Sequence, residues 1–261
     1  MTESNRYELM MEVLSELAPE VRAARSTSRP VQPALSEVLR GFLPLPPQAL
    51  FLGVASDGLP VLLNLADAVP GPMLIAGDPG SGKTALLKMI ARGAEQCYRA
   101  DEVQYGVITE NPDDWRAERP SANRVDVFPA REGGSAEFIQ SLDEWAHSNR
   151  NAGQAVLLLI DGLSAILRMD SDAQQSLRWL LLRGTTRRVW PIVTINARSV
   201  PDVRPWASFF HTRLFGKIMA AQDVGDLAGG SRPHLENLQA GSEFMLREGS
   251  DWLKFWIPTL D

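Results

Sequence analysis

The sequence predicts an α/β fold in which a mainly parallel sheet has helices on both of its faces. Strand-length apolar segments alternate with amphipathic helical segments over most of residues 49–257, which is typical of such a sheet. The segment at residues 155–160 is apolar at every position, as expected of a strand that is buried on both faces. In sheets of this kind a ligand binds beyond the carboxyl ends of the strands, so residues that follow strands are the first candidates for a site.

The first 47 residues are expected to form a helical extension and a linker in front of one domain over residues 48–261. Apolar residues recur at helical spacing in residues 4–25, and Pro19 is expected to break or kink that helix. The linker contains, in order, a polar segment, a short helix and a proline-rich segment at residues 26–33, 35–40 and 44–47. We expect the apolar stripe of this helix to pack against the domain. The alternative is that it contacts another chain, either a partner protein or a second subunit.

The domain opens with two extended segments at residues 50–55 and 61–65, which flank a Ser-Asp-Gly turn sequence and therefore predict a hairpin. Further strands are expected at residues 72–76, 103–109, 124–128, 155–160, 190–195, 212–218, 243–247 and 252–257. Helices are expected at residues 85–98, 135–150, 172–188 and 203–209. The last two strands are expected to form a C-terminal β-hairpin.

Residues 77–84 read Gly-Asp-Pro-Gly-Ser-Gly-Lys-Thr, which completes the phosphate-binding pattern G-x-x-x-x-G-K-[S/T] between a strand and a helix. Glycines let the backbone turn its N–H groups toward a phosphate. Lys83 adds a charge for the β- and γ-phosphates, and the Thr84 hydroxyl is a ligand for Mg²⁺. The residues expected to bind the nucleotide are Gly77, Asp78, Pro79, Gly80, Ser81, Gly82, Lys83, Thr84 and Ala85. ATP is the default nucleotide because no guanine-specifying motif is apparent.

The apolar strand at residues 155–160 ends in Asp161, whose carboxylate is expected to hold Mg²⁺ or its water opposite Thr84. Many motors with this loop place a glutamate directly after that aspartate to polarise the attacking water, but here the next residue is Gly162. Hydrolysis therefore needs another base. Glu110, just beyond the strand at residues 103–109, is the best-placed candidate; the alternative is that it starts a polar loop and faces solvent.

Asn196 ends the next core strand and is expected to hydrogen-bond the γ-phosphate or the attacking water, although an asparagine there is often only a turn former. An arginine is expected to reach the γ-phosphate of a neighbouring subunit, and Arg213 is assigned that catalytic role. The other candidates are Arg178, Arg183, Arg187, Arg188, Arg198 and Arg204. The alternative for each of them is an ordinary solvated position.

The composition, 44% hydrophobic and 22% charged, is that of a soluble globular protein. The single cysteine, Cys97, excludes an internal disulfide. No apolar run reaches the roughly 18 residues that a membrane span needs, and the polar N-terminus is not a secretory or transit signal, so a cytoplasmic location without a membrane partner is expected. The net charge of −6 gives no support for DNA binding, although a local basic channel stays open.

With these residues in place, the chain resembles the HerA–FtsK superfamily of P-loop ATPases over residues 53–258. Besides the loop, the segments that carry the likeness are residues 59–66, 190–198, 211–217 and 238–246. The resemblance implies a RecA-like core, ATP, Mg²⁺ and a ring-like assembly.

Asp161-Gly162 departs from the usual Asp-Glu of that family and resembles the degenerate ATPase modules of EccC-type secretion proteins. The resemblance therefore does not imply vigorous hydrolysis or motor action. Residues 159–166 are similar to the second motif of RecA- and KaiC-like ATPases. The catalytic glutamate of those proteins occupies the place of Glu110.

Three functional hypotheses follow. The first is a Mg²⁺-dependent ATP-binding protein that hydrolyses ATP slowly within an oligomeric assembly. The second is a regulatory or assembly module that binds nucleotide and hydrolyses little, which Gly162 and the acidic surface favour. The third is a DNA translocase, favoured by the ring-like family and disfavoured by the net charge of −6 and by the absence of a recognisable DNA-binding domain.

Overall fold

The computed structural model describes residues 32–116, 118–149, 153–220, 224–229, 233–248 and 251–261. The helix predicted at residues 4–25 lies outside this part of the chain. A compact unit spans Ala34–Asp261, and every element named below belongs to it.

The described residues form a ten-stranded sheet. Its strands are β1 (Ala49–Ala55), β2 (Pro60–Asn64), β3 (Met73–Gly77), β4 (Val103–Thr109), β5 (Arg124–Pro129), β6 (Ala155–Asp161), β7 (Val189–Asn196), β8 (Thr212–Phe215), β9 (Glu243–Glu248) and β10 (Asp251–Trp256). Their spatial order is β2-β1-β10-β9-β8-β3-β7-β6-β4-β5.

Six neighbouring strands, from β8 through β3, β7, β6 and β4 to β5, run parallel to one another. Alternate side chains along them enter two different cores. In β3, Met73 and Ile75 lie in the core on one face, whereas Leu74 and Ala76 lie in the core on the other. A strand buried on both faces needs apolar residues at every position, which explains the continuous apolar run in β6. The predicted mainly parallel α/β sheet is confirmed.

The remaining four strands extend this sheet with antiparallel pairing. β1 and β2 form the predicted hairpin, in which Phe51 lies opposite Leu62. The predicted C-terminal hairpin of β9 and β10 pairs with β8 on one side and with β1 on the other. The C-terminal hairpin therefore connects the first two strands of the domain to the parallel strands.

Helices cover both faces of the sheet. They are α1 (Leu35–Phe42), α2 (Lys83–Cys97), α3 (Pro112–Arg116), α4 (Gly133–Ser148), α5 (Leu163–Ile166) and α6 (Ser171–Trp179). Buried residues of α1, α2 and α3 belong to the core on one face, and those of α4, α5 and α6 to the core on the other. Leu86 and Ile90 provide the apolar side of α2, and Ile139 and Leu142 provide that of α4.

The short helix predicted in the linker is α1. Its Leu35 and Leu39 side chains are 0% and 1% exposed, and the Leu35 N–H donates to the Thr259 carbonyl oxygen at 2.8 Å. α1 is therefore part of the same compact unit as residues 48–261.

Two predicted helices take other forms. The one predicted at residues 172–188 is α6 followed by a π-helical turn, Leu180–Gly184, and a 3₁₀ turn, Thr185–Arg187. The one predicted at residues 203–209 is a 3₁₀ helix, Pro201–Phe209, which contains Pro205 and thus lacks one N–H donor.

Candidate nucleotide-binding site

The glycine-rich loop lies between β3 and α2, at the carboxyl edge of the parallel strands. The Lys83 ammonium donates to the carbonyl oxygens of Gly77 and Asp78 at 3.0 and 2.8 Å. Gly80 and Gly82 have φ angles of 76° and 98°, a region that glycine enters without a steric penalty. These two residues allow the loop to curl over the start of α2.

Burial lowers the pKa of the Lys83 ammonium below its ordinary value, while the negative charges of Asp161 and Asp78 act in the opposite direction. Because the charged form of a partly buried lysine is less well solvated, an added negative charge such as a phosphate would stabilise it. Its environment is therefore compatible with a bound phosphate chain.

The Thr84 hydroxyl and the Asp161 carboxylate are in direct contact. Thr84 Oγ1 donates to Asp161, with distances of 3.1 Å to Oδ1 and 2.9 Å to Oδ2. A second hydroxyl, Thr194 Oγ1 on β7, donates to Asp161 Oδ1 at 3.0 Å. The structure thus brings together the two residues predicted to hold Mg²⁺ and adds Thr194, which the sequence reasoning missed. The signal in the sequence was a polar residue inside an apolar strand, and the structure leaves Thr194 only 1% exposed.

Two segments from the last third of the chain are hydrogen-bonded to the loop. The first of them follows β8. The Asp78 N–H donates to the Lys217 carbonyl oxygen at 3.0 Å, and the Asp78 carboxylate accepts from the Met219 N–H at 2.8 Å. β8 itself ends at Phe215, three residues before the predicted end at 218.

On the other side of the loop, the Gly241 N–H donates to the Ser81 carbonyl oxygen at 3.1 Å. A Cβ atom at Gly82 would lie 2.8 Å from the backbone of Gly241, so the two segments approach as closely as glycine permits. Neither contact has a local signal in the sequence, because both depend on the pairing of distant strands.

Glu110 lies at the same edge of the sheet as Asp161. β4 is adjacent to β6, and Thr109 is in register with Asp161. The Glu110 side chain, 39% exposed, forms ion pairs through Oε1 with Arg168 Nη1 at 3.5 Å and Arg131 Nη2 at 3.9 Å. It lines a cleft of about 310 Å³ between the start of α4 and the residues that follow α5. The described residues that line this cleft do not include the loop at 77–84.

Gly162 turns the chain from β6 into α5. Its φ and ψ angles are 108° and 89°, and a Cβ atom there would have nothing within 4 Å. Backbone conformation, rather than space, therefore favours glycine at this position. The usual glutamate after the aspartate would strain the turn that leads to Arg168.

Asn196 ends β7 in register with Gly77, and its side chain is exposed. The strand end thus places it next to the first residue of the loop. Its proposed hydrogen bond to a γ-phosphate stays a prediction.

The position of Arg213 does not favour the arginine-finger role that was predicted for it. Arg213 lies at the amino end of β8, in register with Leu74, away from the carboxyl edge that carries the loop. Its guanidinium donates to the carbonyl oxygens of Phe210, Leu227 and Ala207 at 3.1, 2.9 and 2.9 Å. These bonds to its own chain occupy the guanidinium, so Arg213 holds local structure.

Three of the other candidate arginines also have partners in the chain. Arg178 lies over the Trp206 ring, with 4.9 Å from Cζ to the ring centroid. Arg188 donates to the carbonyl oxygens of Leu65 and Gly153. Arg204 pairs with Asp226. Arg198 is exposed and follows Asn196 by two residues, which leaves it at the same edge of the sheet as the loop.

In the part of the chain that the structure describes, no helix combines the length and the apolar character needed to cross a membrane.

No protein-family model and no curated protein matches the sequence. Several solved structures do match the fold. The chain is similar to the cytoplasmic domain of the Thermomonospora curvata type VII secretion ATPase EccC, with a TM-score of 0.64 and 15% identity over 89% of this chain and 28% of that one. It is similar to a protein described as an ATPase, with a TM-score of 0.69 and 12% identity over 90% and 97% of the two chains.

A third similar structure is the pCW3 conjugation coupling protein TcpA with ATPγS, with a TM-score of 0.64 and 10% identity over 85% of this chain and 68% of that one. The chain spans less than half the length of the type VII secretion ATPases that it matches. Likeness at these identities concerns the fold, which here carries a complete phosphate-binding loop at the carboxyl edge of its parallel strands. This chain therefore shares the α/β fold of the ATPases that it matches.

Proposed function

We propose that this protein binds ATP with Mg²⁺ and hydrolyses it slowly. The observation that carries the proposal is the contact of Thr84 with Asp161, at 2.9 Å, beside a loop that contains Lys83. The fold places a phosphate-binding loop, a hydroxyl and a carboxylate at one edge, where parallel sheets bind their ligands.

The residues at this edge fit Mg²⁺. Thr84 and Asp161 offer hard oxygen donors, and Mg²⁺ in nucleotide sites is held by one or two such side chains together with phosphate oxygens and water. When bound, Mg²⁺ would neutralise charge on the phosphates. Thr194 supports the site by holding Asp161 Oδ1 at 3.0 Å. The loop N–H groups and Lys83 would bind the phosphate chain itself.

Hydrolysis would proceed by in-line attack of a water molecule on the γ-phosphorus, with release of ADP as the bond to the bridging oxygen breaks. The water proton would pass to the Glu110 carboxylate, and Asn196 would orient the water or the γ-phosphate. Because Glu110 contacts Arg168 and Arg131 in this structure, its side chain has to turn before it can take that proton. The absence of an acid at Gly162 and this requirement, which lowers turnover by up to about fivefold for an exposed ion pair, are the grounds for proposing slow turnover.

We further propose that the protein works in the cytoplasm as part of an assembly, either a homo-oligomer or a complex with a partner protein. The resemblance to ring-forming ATPases and the apolar stripe in residues 4–25 support this proposal. Since Arg213 is bonded to its own chain, an arginine acting on a neighbouring subunit would come from another position, such as Arg198. Native mass measurement with and without ATP tests it: a monomer in both states contradicts both the assembly and the arginine finger.

A second candidate function is a regulatory or assembly module that binds ATP without turnover. Gly162 and the placement of Glu110 in a cleft apart from the loop favour this alternative. The two candidates share the nucleotide site and differ only in whether the bound nucleotide is cleaved.

Calorimetric titration with Mg²⁺–ATP and a phosphate-release assay separate these functions. We expect wild type to bind ATP, and Lys83→Ala to bind it about tenfold to 100-fold more weakly, because a charge-assisted contact is lost. Turnover that is present in wild type and absent in Glu110→Gln supports the slow ATPase. Binding without turnover supports the regulatory module, and normal turnover in Glu110→Gln removes Glu110 from the mechanism. Failure of wild type to bind ATP contradicts both functions.

A further inference from the structure

We propose that Arg168 is a positioning residue that holds the Glu110 carboxylate away from the triphosphate site and thereby limits turnover. The inference rests on the proposed role of Glu110 as the base. It concerns the side chains around Glu110, which belong neither to the loop nor to the residues proposed to hold Mg²⁺.

The backbone explains why an arginine reaches Glu110. The chain leaves β6 at Asp161 and turns at Gly162, with φ of 108°. It forms the single turn of α5, and the Arg168 N–H then donates to the Ala165 carbonyl oxygen at 3.2 Å. This path brings Arg168 back to the sheet edge where β4 ends, next to Glu110. The turn at Gly162, whose backbone favours glycine over the usual glutamate, is therefore also the turn that brings Arg168 next to Glu110.

The charges around Glu110 favour the held position. Both Arg168 and Arg131 approach the same oxygen, Oε1, at 3.5 and 3.9 Å. Besides Glu110, the described residues that line the cleft include two carboxylates, Glu132 and Asp170, and two cations, Arg131 and Arg168. Movement of Glu110 toward the loop gives up these attractions and brings its carboxylate near Asp161, which repels it, and near Lys83, whose positive charge already interacts with Asp161 and Asp78. Arg168 therefore opposes the movement that catalysis requires.

The expected size of the effect is modest. The Arg168 side chain is 64% exposed and that of Glu110 is 39% exposed. Exposed ion pairs contribute up to about 1 kcal/mol, which corresponds to about a fivefold change in the population of the held position. Loss of Arg168 should thus raise kcat about two- to fivefold, without changing how ATP binds.

The test compares kcat and KM for ATP turnover in the full chain. We expect Arg168→Gln to raise kcat about two- to fivefold with KM unchanged, and Arg168→Lys, which keeps the charge, to stay near wild type. Arg131→Gln should have a smaller effect because its distance to Glu110 is longer. Arg99→Gln removes the same charge from an exposed ion pair with Asp101 and is the matched control, for which no change is expected.

Salt provides an independent readout. Raising the ionic strength screens an exposed ion pair, so at saturating ATP the kcat of wild type should rise toward that of Arg168→Gln, whereas the variant should respond less. The double variant Glu110→Gln/Arg168→Gln should show no gain over Glu110→Gln. An unchanged or lower kcat in Arg168→Gln, or no detectable turnover in any variant, overturns the restraint by Arg168. Normal turnover in Glu110→Gln instead removes the base and contradicts the proposed mechanism itself.

Discussion

The phosphate-binding loop and Glu110 lie at the same edge of the sheet, but different kinds of contact hold them. Backbone hydrogen bonds fix the loop on two sides, from Asp78 to Lys217 at 3.0 Å and from Gly241 to Ser81 at 3.1 Å. Glu110 is held only by ion pairs with exposed arginines among the described contacts. Backbone bonds survive most side-chain changes, whereas exposed ion pairs contribute about 0–1 kcal/mol. Backbone contacts therefore hold the glycine-rich loop in place, while the position of the proposed base is adjustable.

The comparison can be tested at one glycine from each region. Gly82 and Gly162 both have positive φ, 98° and 108°, but only at Gly82 would a Cβ atom meet backbone, 2.8 Å from Gly241. We expect Gly82→Ala to lower the free energy of unfolding by about 3 kcal/mol or more and to abolish ATP binding. Gly162→Ala should cost about 1–2 kcal/mol from backbone conformation alone and leave ATP affinity unchanged. Chemical denaturation and calorimetric titration measure both quantities.

Equal losses of stability in the two variants would show that the close approach of Gly241 does not fix the loop. Retained ATP binding in a folded Gly82→Ala protein would contradict the strict geometry that we assign to this region.

A smaller effect is expected from the charge of Asp161. Asp161→Asn keeps an oxygen that can accept from Thr84 and Thr194 but removes the negative charge, so the metal contribution should weaken while the loop stays in place. We expect the Mg²⁺ concentration for half-maximal ATP binding to rise about tenfold or more. Titration of Mg²⁺ at fixed ATP measures it, with Asp57→Asn, in the β1–β2 turn, as the control. An unchanged Mg²⁺ requirement would remove Asp161 from the metal site.

The sequence predicted most of what local pattern determines. The apolar run of β6 and the strand–loop–helix order around Lys83 indicated the parallel sheet and the loop, and the sheet order then brought Glu110 to the edge that carries Asp161. The contacts of the loop with Lys217 and Gly241 could not be predicted, because the first requires β8 to pair with β3 and the second follows from the C-terminal hairpin lying between β8 and β1.

Arg213 shows the same limit of prediction from sequence, here for a residue whose predicted role the structure does not favour. It follows the strand that ends in Asn196, which suggested an arginine finger, but the pairing register places it at the amino end of β8. Three carbonyl oxygens from the residues before it and after it occupy its guanidinium. Whether an arginine is free to act depends on carbonyl groups that a sequence motif does not reveal.

Thr194→Val tests how much the hydrogen bond from Thr194 contributes to holding the Asp161 carboxylate in place. The change removes one hydrogen bond to Asp161 Oδ1, whereas the Thr84 contacts stay. The net contribution of such a bond is about 1 kcal/mol, so the Mg²⁺ requirement for ATP binding should rise about two- to fivefold. Thr212→Val is the matched control, since its hydroxyl donates to the Pro70 carbonyl oxygen at 2.6 Å at the opposite edge. A similar rise in both variants would indicate a general loss of stability rather than a local effect on Asp161.

The smallest change in kcat is expected for Gly162→Glu, although this variant restores the usual acid after Asp161. The position has space for a side chain, but its φ of 108° is strained for any residue other than glycine. To adopt the conformation of an ordinary strand end, the chain would have to rebuild the turn into α5. We therefore expect kcat to rise less than about twofold over Gly162→Ala, which carries the same backbone penalty of about 1–2 kcal/mol without the carboxylate. Phosphate-release rates of the two variants at saturating ATP give the comparison. A tenfold rise would show that an acid at position 162 can act from this backbone, and Glu110 would then be unnecessary for turnover. No rise would mean that the turn commits this chain to a base just beyond the neighbouring strand β4.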